Sequence, residues 1–467
     1  MAAQASIDCS HRLTFSKRSM SSALSTPSVG VFSADAFSAH LAAQPSTAPA
    51  WWNARKRAAH ALFLELPMPA RTDEGWRFSS RSTLTLEGFA VTAPTTAPAS
   101  STTPALVELD DALATLTFLD GVLIKRTSAP AELLGKGLIV GTLQETLSRH
   151  PELLREHFMA QPQKLGSEKF AALHTAFVND GAVIFVPKGM EVSAPIIVTH
   201  ASRGAGAAVF PHTLVILQDQ AKATVVDVFV SPESDPGTPK THPTAFACGA
   251  NDLYVGHSAQ LTYAAAQVWS LDTLSFQLNS TVVRRDARVQ SLNLHLGAVQ
   301  ARHESLSQLQ APGGFSEMLA VTVASGDQEF DQRTLQIHQA PHTKSDLLYK
   351  NALLDTARTI FSGLIVVDPD AQKTDAYQSN RNLMLSDTAE ASSLPGLEIQ
   401  ANDVRCTHGA TTSRIDPEQL FYLQTRGIAP AKARELLVFG FFEEVLNRLE
   451  HEGLHKAFLA LIQSHFH

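Results

Sequence analysis

Cys406 and His408 stand two residues apart, and both side chains are of types that bind metals. On a β-strand, residues two apart share a face, so the thiol and the imidazole would point the same way. Sulfur and imidazole nitrogen suit zinc, copper or iron–sulfur centres. Two ligands are too few for a closed site, so others would have to come from elsewhere in the chain or from another subunit. A buried cysteine beside a hydrogen-bonded histidine is the alternative interpretation.

Two other groups of residues could bind metal. The segment His451-Glu452-Gly453-Leu454-His455 matches the H-E-x-x-H pattern of zinc proteases. That chemistry needs a stable helix, a third ligand and a cleft, but Gly453 interrupts the helix and the chain ends soon after. We therefore do not expect a protease. The second group is His338 and His342 with Asp331 and Asp346 nearby. We interpret these four as polar residues around a turn, with a shared strand face as the alternative.

Nucleotide and nucleic-acid binding are not indicated. Gly204-Ala205-Gly206 lacks the lysine and hydroxyl residue of a phosphate-binding loop, and no G-x-x-x-x-G-K-[ST] occurs, so we expect no ATP site in this chain. The formal net charge is −8, and no basic stripe is visible. Proteins that bind nucleic acid usually carry a concentrated basic face, so we expect no nucleic acid partner.

The cysteines and the hydropathy indicate where the protein works. The three cysteines, Cys9, Cys248 and Cys406, are far apart and form no C-x-x-C pair. They fit a reducing compartment rather than a disulfide framework, and we interpret Cys9 and Cys248 as structural or incidental. No apolar run is long enough for a transmembrane helix, so we expect no membrane partner and a cytoplasmic location.

Residues 1–34 are rich in serine and alanine, with Arg12, Lys17 and Arg18 among them. We expect a disordered tail that precedes a true start at Met20. The alternative is a transit peptide to an organelle stroma, although Asp8 interrupts that pattern.

Three further regions follow the tail. Residues 35–165 predict a mainly helical N-terminal domain, with a flexible link at Thr92–Pro104. From 166 to 415, short β-branched runs alternate with Gly, Asp, Asn and Pro. So many short strands cannot form one flat sheet, and they predict a parallel β-helix, in which each strand pairs with strands of the neighbouring coils. A two-sheet sandwich is the alternative.

Residues 416–467 predict C-terminal helices. Asp416-Pro417 is typical of a helix start, and Gly427 of its end. A second helix near Pro430 carries a wide apolar stripe, which either packs on the β-domain or also contacts a partner protein. The candidate partner contacts on the two helices are Leu420, Tyr422, Leu436, Phe439, Phe442 and Leu446.

Several segments resemble the SufB/SufD family of iron–sulfur cluster assembly scaffolds. The matching segments are Glu74-Gly75-Trp76-Arg77-Phe78, Phe361-Ser362-Gly363, Asp375–Leu383, Pro395–Ile399, Asp403–Thr411, Leu420–Leu423, Arg426–Ile428 and Glu435–Leu437. Cys406-Thr407-His408-Gly409 is similar to the SufD branch, since SufB chains carry a Glu-His-Glu-Ala pattern at this place.

The resemblance implies a mainly β fold, a right-handed parallel β-helix flanked by N-terminal and C-terminal helical domains. It implies a non-catalytic scaffold that pairs with SufB through the β-helix core and binds the ATPase SufC through its C-terminal helices. It also implies that His408, with Cys406 beside it, contacts an iron–sulfur cluster that is held transiently and shared with SufB. A SufB-like homodimeric scaffold and a β-helix enzyme acting on polysaccharides are the alternatives.

Overall fold

A computed structural model of the chain describes residues 30–44, 48–80, 84–91, 107, 109–231 and 243–466. Most of the predicted tail, Cys9 and the predicted link at Thr92–Pro104 lie outside these described residues.

Helices and short strands make up the first part of the chain. The helices are α1 (Ala34–Ala42), α2 (Ala50–Glu65), α3 (Ala131–Gly135), α4 (Leu143–Arg149), α5 (Pro151–His157) and α6 (Glu168–Phe177), with one 3-10 turn at Glu74–Trp76. The strands are β1 (Ala90–Val91), β2 (Ala114–Leu119), β3 (Val122–Thr127) and β4 (Ile139–Thr142). Strands β2, β3 and β4 join the sheets of the core, so the N-terminal region is continuous with it.

The core is a solenoid of two facing sheets. Its strands are β5 (Ala182–Val186), β6 (Ile196–Ala201), β7 (Ala207–Val209), β8 (His212–Leu217), β9 (Lys222–Val230), β10 (Ala245–Val255), β11 (Gln260–Val268), β12 (Thr273–Val283), β13 (Arg288–His295), β14 (Gln300–Leu309), β15 (Phe315–Ala324), β16 (Glu329–His338), β17 (Lys344–Leu353), β18 (Arg358–Val367), β19 (Asp375–Met384), β20 (Glu390–Ile399) and β21 (Arg405–Arg414). From β8 on, successive strands alternate between an 11-stranded and a 10-stranded sheet, and each pairs in parallel with the strand two places along the chain. This topology confirms the predicted parallel β-helix and excludes the sandwich.

The space between the two sheets is polar over much of its length. Gln332 donates to Thr322 Oγ1 on the facing sheet at 2.7 Å, and Asn351 donates to Asn382 Oδ1 on the next coil at 2.8 Å. Side-chain amides therefore connect the two sheets and also neighbouring coils. Asp227 is fully buried and accepts from Thr213 Oγ1 at 3.0 Å and from Tyr263 Oη at 2.6 Å. Burial raises the pKa of the Asp227 carboxyl to about 7, although these hydrogen bonds oppose the shift.

The raised pKa of Asp227 predicts a pH-dependent contribution to stability. The unfolded carboxyl loses its proton near pH 4 and the folded one near pH 7. The contribution to stability is therefore fully present below pH 4 and decreases steadily as the pH rises from 4 to 7. We expect Asp227→Asn to remove a slope of about 1.4 kcal/mol per pH unit from the unfolding free energy in that window. Urea unfolding of both proteins from pH 4 to pH 8 measures it, and parallel curves would contradict the assignment.

The N-terminal segments pack on the outer face of the 11-stranded sheet. Phe170 of α6 stacks on Phe276 of β12 with ring centroids 3.7 Å apart. A buried guanidinium, Arg302, donates to Glu304 at 2.7 Å, contacts Asp331, and lies 4.0 Å from the Trp76 ring centroid. Arg302 Nη1 also donates to the main-chain oxygen of Gly75 at 2.9 Å, so one side chain connects the 3-10 turn to the solenoid.

Of the three C-terminal helices, the second and third pack on the outer face of the 10-stranded sheet, while the first contacts the second. They are α7 (Pro417–Thr425), α8 (Pro430–Leu446) and α9 (Glu452–Ser464). The predicted helix start is confirmed, since the Asp416 carboxylate accepts from the Glu418 amide at 2.8 Å. No helix among the described residues is long and apolar enough to cross a membrane. Helix α6 lies inside the range 166–415 that the sequence predicts for the β-helix. The domain boundaries at residues 165 and 415 stay a prediction.

Candidate functional site

The last coil of the solenoid leaves two strand edges unpaired. Strand β20 ends the 11-stranded sheet, and strand β21 ends the 10-stranded sheet. Each spans ten residues and pairs on one side only among the residues that the structure describes. Unpaired edges of this length are templates for pairing with another chain.

Cys406 and His408 lie on β21, and both project from the face of the last coil that faces the solenoid interior. Cys406 pairs with Ala376 and His408 with Gln378 on β19, and both of those residues are buried between the sheets. Side chains at paired positions point to the same face, so the shared face predicted from the spacing is confirmed. No further coil covers them, and His408 is therefore exposed whereas Cys406 is half-buried.

The Cys406 thiol lies in a partly apolar corner. It packs with Leu397 and Val404 against the buried residues at the end of the interior. Burial raises the pKa of this thiol, Asp375 raises it further, and a hydrogen bond from the Ala376 amide opposes the shift. Cys406 is therefore a protonated thiol at neutral pH, and binding a metal there would release a proton.

A buried amide ties the last coil to the opposite sheet. Gln378, directly beneath His408 in the ladder, donates to the main-chain oxygens of Gly363 at 3.3 Å and Gly396 at 3.0 Å. A Cβ atom at position 363 would lie 2.4 Å from Gln378 Oε1 and 2.6 Å from Phe361 Cζ, so a larger residue there would displace these side chains. Gly363 thus leaves room for the Gln378 amide, which connects β19 to β18 and β20 across the interior.

Cys406 and His408 are the two possible metal ligands that the described residues bring together at this site. Among the described residues, no group of three or more His, Cys, Asp or Glu side chains is arranged to hold a metal ion. The neighbouring charged residues are paired with each other, as in Arg414 with Asp387 at 2.7 Å and Arg381 with Glu444 at 2.9 Å. Cys406 and His408 are therefore half of a metal site at most.

The H-E-x-x-H segment serves as a helix cap. His451 precedes α9, and its Nδ1 accepts from the Leu454 amide at 3.1 Å while its Nε2 contacts Asp111 at 3.0 Å. His455 instead lies 3.4 Å from Glu443, so the two imidazoles have different partners. This agrees with the expectation that the segment is not a protease site.

The other sequence candidates are also structural. His338 is buried between Thr343 Oγ1 at 2.8 Å and Ser345 Oγ at 2.9 Å, while His342 sits in a turn with φ of 59°. Asp331 pairs with Arg302 and Arg333, and Asp346 pairs with Arg448. Cys248 is fully buried, and Gly204 and Gly206 have positive φ in a loop before β7.

Three of the six predicted partner contacts are part of the core, which corrects that prediction. Phe439, Phe442 and Leu446 are buried in a cluster that includes Leu319 and Leu348 on the outer face of the 10-stranded sheet. They cannot contact another chain while α8 stays packed. The apolar stripe of α8 is therefore the face by which the helix binds its own solenoid.

An exposed apolar surface remains on α7 and the start of α8. We call Phe421, Tyr422 and Leu436 the α7–α8 patch; their exposed fractions are 68%, 56% and 42%. Leu420 is half-buried beside them. The sequence prediction missed Phe421, although Leu420 to Leu423 is an apolar run too wide for one face of a helix.

Two family models match this chain. The SufBD core domain of SUF system FeS cluster assembly matches residues 198–441, just over half of the chain, and the SufBD N-terminal region matches residues 34–198. The chain is 29% identical to the iron–sulfur cluster assembly protein SufD of Bacillus subtilis, over 89% of this chain and 94% of that one. It is also 29% identical to SufD of Escherichia coli, over 85% and 89% of the two chains.

A similar match, 27% identical over 85% of this chain and 87% of the relative, is a SufBD family protein of Synechocystis. The match of the core model covers the solenoid from β6 almost to the end of α8, including the coil that carries Cys406 and His408. The chain therefore belongs to the SufBD family of the SUF system for iron–sulfur cluster assembly.

Proposed function

We propose that this chain is a SufD-like, non-catalytic scaffold that contributes half of a site on which an iron–sulfur cluster is assembled. The observation that carries the proposal is the open last coil, which presents Cys406 and His408 between two unpaired strand edges. Iron and sulfide are cargo rather than resident cofactors in this proposal, and the chain itself forms no bonds in a substrate.

SufB is the partner that we propose for the open coil. Strands β20 and β21 each offer ten residues of main chain for pairing, and a partner strand beside β21 would bring new side chains next to His408. The missing ligands would then come from the partner. The Cys406 thiol would lose its proton only on metal binding, which protects it from oxidation while the site is empty.

The test is co-purification with SufB and SufC followed by anaerobic reconstitution. We expect a complex of all three chains to accumulate a cluster, read by visible absorption, and this chain alone to accumulate little. If this chain alone formed dimers and accumulated a cluster as fully as the complex, the SufB-like homodimeric alternative would replace the proposal.

SufC is the partner that we propose for residues 416–467, through the α7–α8 patch with Leu420. The patch is apolar, exposed and located on helices that follow the last coil directly, so motion of α7 can reach β21. Apolar side chains exposed together mark protein interaction sites.

Charge in the α7–α8 patch should weaken SufC binding. We expect Phe421→Asp or Leu436→Asp to lower the affinity for SufC by about tenfold, because each replaces an exposed apolar contact with a carboxylate. Gln424→Asp, exposed on the same helix, is the matched control and should bind normally. Isothermal calorimetry with purified SufC measures the difference in affinity. If Gln424→Asp lost as much affinity, the added negative charge and not the lost apolar contact would be the cause, which would contradict the proposal.

A further inference from the structure

The opposite end of the solenoid also has a free strand edge, and a cavity surrounds it. Among the residues that the structure describes, strand β4 ends the 11-stranded sheet and pairs in antiparallel fashion with β5 on one side only. A cavity of about 640 Å³ is lined by residues 137–141, β3, α3, α4 and α5. This volume is in the range of sites that bind a short peptide or a small molecule.

The main chain of Val140 faces this cavity. The Thr142 amide donates to Glu145 Oε2 at 3.0 Å, so it points away from β5. Main-chain groups two residues apart on a strand point to the same side, so the N–H and C=O of Val140 point away from β5 too. Among the described residues, no hydrogen bond reaches Val140 from that side.

The cavity surrounds the edge of β4 rather than covering one face of the sheet. Val140 packs towards the interior of the solenoid, whereas Phe185, on the paired strand, packs towards the N-terminal helices. Both line the cavity, together with Leu134, Ile139 and Leu153. A strand added beside β4 would therefore find apolar surface for the side chains on both of its faces.

The charge around the cavity is positive. Arg126 and Glu145 neutralise each other through two hydrogen bonds of 3.0 and 2.7 Å at one end of the β4 edge. Arg149 and His150 are exposed on the lining, and within the described residues the Arg149 side chain makes no direct ion pair or hydrogen bond, although its charge helps to lower the pKa of Glu145. An occupant with a carboxylate near Arg149 complements this charge.

We propose that the edge of β4 binds an extended acidic–apolar peptide of another protein by β-strand addition. Its main chain pairs with Val140, its apolar side chains occupy the two sides of the cavity, and an acidic side chain contacts Arg149. A small amphipathic anion would use the apolar walls and Arg149 but would leave the Val140 amide and carbonyl unused. The site lies at the other end of the chain from His408 and does not depend on the proposed scaffold role.

The test uses the full-length protein and a fluorescein-labelled peptide of alternating valine and glutamate, followed by fluorescence anisotropy. We expect saturable binding that is lost when the peptide carries lysine for glutamate or methyl groups on its main-chain nitrogens. Arg149→Glu should weaken binding about fivefold, the effect of one exposed ion pair, while Arg155→Glu on α5, outside the cavity, leaves it unchanged.

Val140→Pro removes the outward N–H without touching the pairs with β5, and we expect it also to weaken binding about fivefold. Thermal melting shows whether this variant folds; if it does not, the methylated peptide tests the same hydrogen bond. Equal binding of the methylated peptide, or unchanged affinity in Arg149→Glu, overturns the proposal. The proposal is also overturned if anilinonaphthalene sulfonate binds saturably at Arg149 and the peptide cannot displace it.

Discussion

Replacing His408 by alanine should leave the protein folded and its complex with SufB and SufC assembled, while cluster accumulation falls by about tenfold or more. The side chain is exposed on the last coil and supports no packing, so its removal should cost little stability. Its imidazole nitrogen is one of two possible ligands that this chain presents at the open end, which is why the effect on the cluster should be large.

The control for His408 is Thr411→Ala, an exposed change on the same strand but the opposite face. It should leave cluster yield unchanged in anaerobic reconstitution. Cys406→Ser should have a smaller effect than His408→Ala, because the thiol is half-buried and protonated before metal binds. An unchanged cluster yield in His408→Ala would contradict the assignment of this residue as a ligand.

Replacing Phe442 by alanine should destabilise the protein by about 3–5 kcal/mol, the usual cost of emptying a buried phenylalanine site. Its ring is fully buried where α8 meets the outer face of the 10-stranded sheet, among Val445, Leu446 and Leu348. Guanidinium unfolding followed by circular dichroism measures the loss. Leu436→Ala is the matched control, because Leu436 lies on the exposed side of the same helix and its loss leaves no cavity.

The two variants also separate the two roles of α8. Leu436→Ala should weaken SufC binding without changing the unfolding midpoint, whereas Phe442→Ala should shift the midpoint. If Phe442→Ala kept full stability and lost SufC binding, α8 would have to leave the sheet to bind its partner, and our correction of the sequence prediction would be wrong.

Local chemical signals made the C-terminal helices predictable. Asp416 and Pro417 begin α7, Gly427 follows its end with φ of 82°, and Pro430 begins α8. Each of these residues acts through its own backbone preference, which does not depend on distant parts of the chain. Which side of the α8 stripe faces the solenoid was not predictable, because that depends on residues of β15 and β17 far away in sequence.

The solenoid strands were only partly predictable because their interior is polar. Strand β14 places His303, Ser305 and Ser307 in buried positions, and strand β16 places Gln332 and Thr334 there. Such strands lack the alternation of apolar and polar residues by which a half-buried strand is recognised. Their inward side chains are stabilised by hydrogen bonds between the two facing sheets, which appear only once the register is known.

Only part of the candidate site was predictable from the sequence, because the rest depends on how the coils stack. The spacing of Cys406 and His408 was enough to place them on one face of a strand. Their exposure depends on β21 being the last strand of its sheet, which only the full stacking order reveals. The free edge of β4, with four residues, gave no sequence signal at all.

The unpaired edges of β20 and β21 have a consequence for how the cell must make this protein. A chain synthesised in excess of the partner that we propose exposes ten-residue edges that can pair with other copies of itself. Orphan copies should therefore aggregate or be degraded, and the steady-state level of this subunit should follow that of its partner. The exposed edges of the last coil therefore require that the two subunits be expressed in matched amounts.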